Sequence, residues 1–130
     1  MARALHKVLY VEDEPDIQEV ALMSLGLAEE LVIEPCSSGQ EALDKVVAFQ
    51  PDLILLDVMM PDMDGPTTLG RLRELPDARH VPIVFMTAKV QRDEVERFLA
   101  LGAAGIIPKP FDPMTLADQV KNIWRQQTDG

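Results

Sequence analysis

Asp57 ends the apolar run Leu53-Ile54-Leu55-Leu56, and three other segments also deliver a polar residue straight after a short apolar stretch. Glu12 and Asp13 follow Val8 to Val11, Thr87 follows Ile83 to Met86, and Lys109 follows Ile106 to Pro108. Apolar stretches of this length read as buried strands, and in a parallel sheet such strands end at a common edge. Three acids, a hydroxyl and an ammonium gathered there make a site for a divalent cation and a phosphoryl group. The cation takes the carboxylates, and the phosphoryl oxygens take the donors. Oxygen ligands without His or Cys favour Mg²⁺ over zinc. Carboxylates about 4 Å apart repel by roughly 1 kcal/mol in water and nearer 4 in a partly shielded cleft, so the site without a cation is expected to be strained. Lys109 lies between Pro108 and Pro110, whose rings restrict the backbone and direct the side chain. Taken singly, Glu12 and Asp13 also suit a loop that complements a helix dipole, and Thr87 suits an ordinary strand end.

The elements that must position these residues alternate along the chain. Strands are predicted over Val8 to Val11, Leu31 to Cys36, Leu53 to Leu56, Val81 to Met86 and at Ile106-Ile107. Between them lie helical patterns. Pro15 to Leu27 has Ile17, Val20, Ala21 and Leu25 on one face, with Pro15 in the first turn. Ser38-Gly39-Gln40-Glu41 is a capping-box pattern opening a helix with Leu43, Val46 and Val47 inward. After Asp57 comes the turn-rich Pro61-Asp62-Met63-Asp64-Gly65-Pro66, then a helix carrying Leu69 and Leu72 that stops before Pro76. Val90 to Leu101 places Val95, Phe98 and Leu99 inward and stops at Gly102. The last helix opens with Asp112 as N-cap and Pro113 at its first position, buries Leu116, Val120 and Ile123, and brings Trp124 to the sheet margin. The alternation predicts a doubly wound parallel sheet, which binds ligands at the carboxyl ends of its strands. Met59, Met60 and Met63 are expected in a covered loop, and His6 and His80 lie in loops away from the site.

The 130 residues fit one domain, with a core about 6–126 and Thr128-Asp129-Gly130 as a frayed polar tail. The hydrophobic fraction of 47% and charged fraction of 26% are those of a soluble globule. A formal charge of −10 repels nucleic-acid phosphates and anionic lipids, so direct nucleic-acid binding is not expected. The single cysteine, Cys36, allows no intrachain disulfide and reads as a small buried hydrophobe. Met1 to Lys7 lacks the apolar segment of a secretory signal, and no apolar run approaches the roughly 20 residues of a membrane helix. A cytoplasmic protein is expected.

The motifs, taken in order, resemble the response-regulator receiver domain along essentially the whole chain. Leu55-Leu56-Asp57-Val58-Met59-Met60-Pro61-Asp62-Met63-Asp64-Gly65 is similar to its phosphoacceptor segment and Val11-Glu12-Asp13-Glu14-Pro15 to its acidic metal-binding turn. Met86-Thr87-Ala88 and Pro108-Lys109-Pro110-Phe111 complete the set. The resemblance implies a chemotaxis-regulator-like α/β fold: a doubly wound five-stranded parallel sheet in flavodoxin-like order 2-1-3-4-5 with five helices. It implies that Asp57 receives a phosphoryl group from a histidine kinase or a histidine phosphotransfer protein. Asp13, Asp57 and the backbone carbonyl of Met59 would bind Mg²⁺, with Glu12 acting largely through water. Lys109 would pair with one phosphoryl oxygen, while Thr87 and the Ala88 N–H would donate to another. A cis peptide bond between Lys109 and Pro110 is a further implication, and the chain is expected to act either as a diffusible regulator that binds an effector protein, with a phosphorylation-dependent dimer open to it, or as an intermediate in a phosphorelay. Such a protein is a switch that catalyses its own phosphorylation and slow dephosphorylation rather than an enzyme. Phosphorylation adds up to about two negative charges and three acceptor oxygens, which can draw Thr87 and its loop inward.

Two departures from the receiver pattern carry expectations of their own. Ile106 stands where many receivers have Tyr or Phe, so no large ring can follow Thr87 inward, and a weaker or differently routed output is expected. Met59 and Lys89, two residues after Asp57 and Thr87, carry neither carboxylate nor amide to orient a water, which predicts slow autodephosphorylation. The rival readings are a haloacid-dehalogenase-type phosphohydrolase and a flavodoxin-like cofactor binder. The first needs an Asp where Met59 stands, and the second needs a phosphate loop where Glu12, Asp13 and Glu14 would repel the ligand.

Overall fold

The runs Leu53–Asp57 and Ile83–Thr87 are buried at every residue, so the sheet they form must be covered on both faces. The computed structural model, which describes residues 3–129, shows how the chain achieves this. Five strands, β1 (Lys7–Val11), β2 (Val32–Cys36), β3 (Leu53–Asp57), β4 (Ile83–Thr87) and β5 (Gly105–Pro108), alternate with five helices. These are α1 (Pro15–Leu25), α2 (Gly39–Phe49), α3 (Gly65–Arg73), α4 (Arg92–Ala100) and α5 (Leu116–Asp129). All strand pairs are parallel, in the order β2-β1-β3-β4-β5 that the resemblance implied.

Because strand side chains alternate between faces, each strand feeds two cores. Leu9, Val11, Ile54, Leu56 and Phe85 meet α2, α3 and α4 through Ala42, Val46, Leu69, Leu72 and Phe98. On the other face Val8, Tyr10, Leu53, Leu55, Val84 and Met86 meet α1 and α5 through Ala21, Leu25, Leu116, Val120 and Trp124. Trp124 closes the margin as expected, its indole N–H donating to the Arg3 carbonyl at 2.7 Å. Leu5, just outside the expected core boundary, is also buried.

Several inward assignments are corrected. Val47 and Leu99 are exposed, at 46% and 47%. Consecutive helix residues point about 100° apart, so only one of Val46 and Val47, and one of Phe98 and Leu99, can face the sheet. Phe98 takes that place on α4 by meeting Phe85 edge-on, ring centroids 5.2 Å apart. Val20 is 45% exposed, because α1 is turned so that Ala21, Ser24 and Leu25 form its buried stripe and the Ser24 hydroxyl donates to the Pro113 carbonyl. Helix α1 stops at Leu25 instead of Leu27. At the start of α5, residues 113–115 form a turn before the helix proper, and Asp112 caps it by accepting from the Met114 N–H at 2.9 Å. Its far end is helical through Asp129, where a frayed tail was expected, and Gly130 lies outside the described residues. Met60 is buried as expected of a covered loop, but Met59 is 64% exposed.

Candidate functional site

Parallel pairing decides which strand ends become neighbours. Val11 is level with Cys36 on one side and Leu56 on the other, and Asp57 is level with Met86. Glu12, Asp13, Asp57 and Thr87 therefore emerge along one edge, and β5, whose Pro108 is level with Thr87, adds Lys109. A ladder-like bond from the Glu12 N–H to the Cys36 carbonyl, 2.9 Å, carries the pairing one residue beyond β1.

At this edge one carboxylate oxygen from each of Glu12, Asp13 and Asp57 lies within 4.8 Å of the others. Glu12 and Asp57 are buried, at 0% and 2% exposure, and the Lys109 ammonium reaches both: 2.9 Å to Glu12 Oε1 and 3.2 Å to Asp57 Oδ1. Two of the three acids, Glu12 and Asp57, thus share one ammonium. Burial pushes the Glu12 carboxyl up to about 7, helped by the Asp57 charge, while the Lys109 hydrogen bond pulls the other way. Burial pulls the Lys109 ammonium down, but the Glu12 hydrogen bond and the charges of Asp57 and Glu12 outweigh it and hold the group above its ordinary value. Asp13 Oδ1 is buried with no hydrogen-bond partner. A buried acceptor in that condition, flanked by two more carboxylates, suits a hard divalent cation, and the oxygen-only donor set fits Mg²⁺.

The loop after β3 owes its path to Gly65. A Cβ at that residue would come within 2.7 Å of the Asp57 carbonyl oxygen and 2.8 Å of the Val58 Cα, so only glycine lets α3 begin against the strand end. The Gly65 N–H donates to the Val58 carbonyl at 2.9 Å, and Asp64 caps α3 by accepting from the Thr67 N–H at 2.9 Å. In the sequence Gly65 stands in a turn and closes the phosphoacceptor-like segment, and its signal for this close approach is a glycine straight after an acidic capping residue.

Thr87 is buried at 1%, its hydroxyl accepting from the Lys89 N–H at 3.0 Å, and the Lys109 N–H donates to its carbonyl at 2.9 Å. Ala88 and Lys89 are exposed beside it. Met59 and Lys89 line an open cleft of about 520 Å³ with Asp64, Glu94, Arg97 and Phe98. Ile106 is half-buried at the margin of the α2–α3–α4 core, opposite Phe85 in the strand register. The Lys109–Pro110 peptide bond is cis, as the resemblance implied. Cys36 is buried, and burial followed by the Glu41 charge pushes its thiol up to about 12, which fits an inert hydrophobe. One participant had no signal in the sequence: Gln18 on α1, whose amide donates to the Glu12 carbonyl at 3.0 Å and the Cys36 carbonyl at 3.1 Å.

With this geometry in place, comparison with known proteins gives one answer. Residues 8–121 match the model of the response regulator receiver domain. The chain is 38% identical over 125 residues to the transcriptional regulatory protein BaeR of Escherichia coli, covering 92% of this chain and 48% of BaeR. It is 34% identical over 113 residues to a probable cyclic di-GMP phosphodiesterase of Vibrio cholerae, covering 87% of this chain and 25% of that protein. Among solved structures, the chemotaxis response regulator CheY4 of Vibrio cholerae superposes with a TM-score of 0.84 at 30% identity, over 92% of this chain and 99% of that one. The chain thus spans a quarter to about half the length of these two curated relatives.

Proposed function

Because the chain belongs to the response regulator receiver domain family, the phosphorylation switch of two-component signalling, we propose that Asp57 is its phosphoacceptor and that the residues around it drive the transfer. The observation that carries this is the convergence of three carboxylates within 4.8 Å, with the Lys109 ammonium 3.2 Å from Asp57 Oδ1. The haloacid-dehalogenase and flavodoxin readings are not favoured. An exposed Met59 occupies the place where the first needs an acid, and the buried acids stand where the second needs an anion cradle.

In this reading a carboxylate oxygen of Asp57 attacks the phosphorus of a phosphohistidine in line. The new O–P bond forms as the N–P bond breaks, and the electron pair leaves with the imidazole nitrogen. Asp13, Asp57 and the Met59 carbonyl would hold Mg²⁺, with Glu12 acting through water. When bound, Mg²⁺ supplies the positive charge that the crowded carboxylates and the transferring oxygens lack. Lys109, already at Asp57, passes to a phosphoryl oxygen. The Thr87 hydroxyl accepts from Lys89 and so keeps its own proton for another phosphoryl oxygen, with the Ala88 N–H beside it.

The donor is a histidine kinase or a histidine phosphotransfer protein, and it must touch the surface bordering Asp57. An apolar groove of about 300 Å³ lined by Ile17, Val20, Lys109, Pro110 and Pro113 is the part of that border suited to a protein surface. The output is an effector protein, reached through a coupling that Ile106 weakens or reroutes. Unchanged amide shifts at Ile106 and along α5 on activation would argue against any switch there. We read residues 1–130 as one receiver domain acting in a reducing, cytoplasmic setting; no described helix is long and apolar enough to cross a membrane. The test is to add Mg²⁺ with a beryllofluoride phosphoryl mimic and follow amide shifts in the wild type and in Asp57→Asn. A wild-type response no larger than the variant's overturns the assignment.

A further inference from the structure

We propose that Gln18 is a positioning residue for the cation site: by holding the Glu12 carbonyl it sets the plane of the Glu12–Asp13 peptide, and through it the direction in which the Asp13 carboxylate points. The inference rests on the reading of Glu12, Asp13 and Asp57 as a cation site.

The geometry begins with how α1 leaves the sheet. Its N-cap, Glu14, makes no side-chain capping bond, and the first helical hydrogen bond runs from the Gln18 N–H to the Glu14 carbonyl at 2.9 Å. Helix side chains lean toward the N-terminus, so the Gln18 amide reaches back over the first turn to the ends of β1 and β2. There its nitrogen donates to Glu12 O at 3.0 Å and to Cys36 O at 3.1 Å. A primary amide nitrogen has two protons, and both are used.

The two acceptors are not equivalent. The Cys36 carbonyl also accepts from the Glu12 N–H at 2.9 Å, so it stays paired without Gln18. Among the described residues, Gln18 is the donor recorded for the Glu12 carbonyl. Glu12 is therefore pinned on both sides, its N–H by β2 and its C=O by α1. The first bond directs the Glu12 side chain into the buried site and the second orients the next peptide, which carries Asp13. Asp13 carries an unpartnered buried oxygen and offers one carboxylate oxygen to a cluster only 4.8 Å across, where a rotated peptide would remove it from reach. A clamp is needed because the three acids repel one another, and a free Glu12–Asp13 peptide would relax by turning Asp13 outward. An apolar residue of equal length could fill the same space but could not hold the peptide against that repulsion.

The experiment is a Mg²⁺ titration of the full chain followed through the amide shifts of Asp13, Asp57 and Met59, with unfolding midpoints measured in parallel. The wild type is compared with Gln18→Met, which keeps the length and removes both donors, and with Gln18→Asn, which keeps the donors and shortens the reach. Asp52→Ala serves as a control, loosening the fold at the opposite edge of the sheet. The expected result is Mg²⁺ affinity weaker by roughly tenfold in Gln18→Met, the scale seen for residues that orient metal ligands, with Gln18→Asn between it and the wild type and Asp52→Ala unchanged. The Asp13 amide should also be shifted in Gln18→Met before any Mg²⁺ is added. Affinity in Gln18→Met equal to the wild type overturns the proposal, as does an equal loss in Asp52→Ala, which would reduce the effect to general loosening. Failure of the wild type itself to bind Mg²⁺ overturns the reading of the site, and this inference with it.

Discussion

Asp52 and Asp57 stand at opposite ends of β3, and their surroundings differ in the supply of donors. Asp52 accepts the His6 and Lys7 N–H groups on one oxygen, at 3.1 and 2.9 Å, and the Arg3 guanidinium on the other, at 3.0 Å. Among the described residues Asp57 has one donor, Lys109, which it shares with Glu12, and two neighbouring acids. The first carboxylate ties the N-terminal segment to the sheet and is satisfied by the fold itself. The second is left short of positive charge, which the fold tolerates because β3 and β4 are buried on both faces and hold their ends rigidly. One edge of the sheet pairs its carboxylate with donors of the fold, and the other leaves it crowded by like charge.

That contrast breaks most visibly at Asp57. Asp57→Asn should abolish the amide-shift response to Mg²⁺ and beryllofluoride, while its unfolding midpoint stays at or above the wild type, because one of three repelling charges is gone. A large loss of stability would mean that Asp57 serves the fold as Asp52 does. Asp52→Ala should behave in the opposite way, losing about 2–3 kcal/mol in urea unfolding as two backbone N–H groups lose a charged partner, with Mg²⁺ affinity unchanged.

A smaller effect concerns pH. The Glu12 carboxyl is pushed up from 4.5 to about 7 in the folded protein, so between these values the folded state binds more protons than the unfolded one. The contribution is fully present below pH 4.5 and is lost as pH rises through 7. The cation-free wild type should therefore lose on the order of 2 kcal/mol relative to Glu12→Gln over that window, and saturating Mg²⁺ should flatten the difference. A pH-independent gap between the two proteins would show that the acids are not in conflict. The smallest effect belongs to Met59, which is 64% exposed beside Asp57. Met59→Asn should speed loss of the acyl phosphate several-fold, about 1 kcal/mol of barrier, by offering an amide to orient water. An unchanged decay rate would remove Met59 as a determinant of lifetime.

The strand ends were legible because each apolar run stops at a polar residue, and a strand buried on both faces cannot absorb a charge except at its end. The capping box was legible too: Glu41 donates its N–H to the Ser38 hydroxyl at 3.0 Å. Its carboxylate, however, accepts from Ser37 at 2.7 Å and not from Ser38. Side-chain direction on the helices was less so. Val20, Val47 and Leu99 lie within a helical turn of buried residues, and which neighbour faces the sheet depends on how each helix is rotated against it.

The sequence by itself determined the order of the elements and the polar residues that gather at one edge of the sheet, because these follow from local pattern. Tertiary structure alone decided the distances: that Lys109 bridges Glu12 and Asp57, that Asp13 keeps an unpartnered oxygen, and that Gln18 reaches across two strand ends. The physical reason is that charge sharing and hydrogen bonding act through space. The residues concerned are up to 97 positions apart in the chain and meet only once the sheet has closed in its final register.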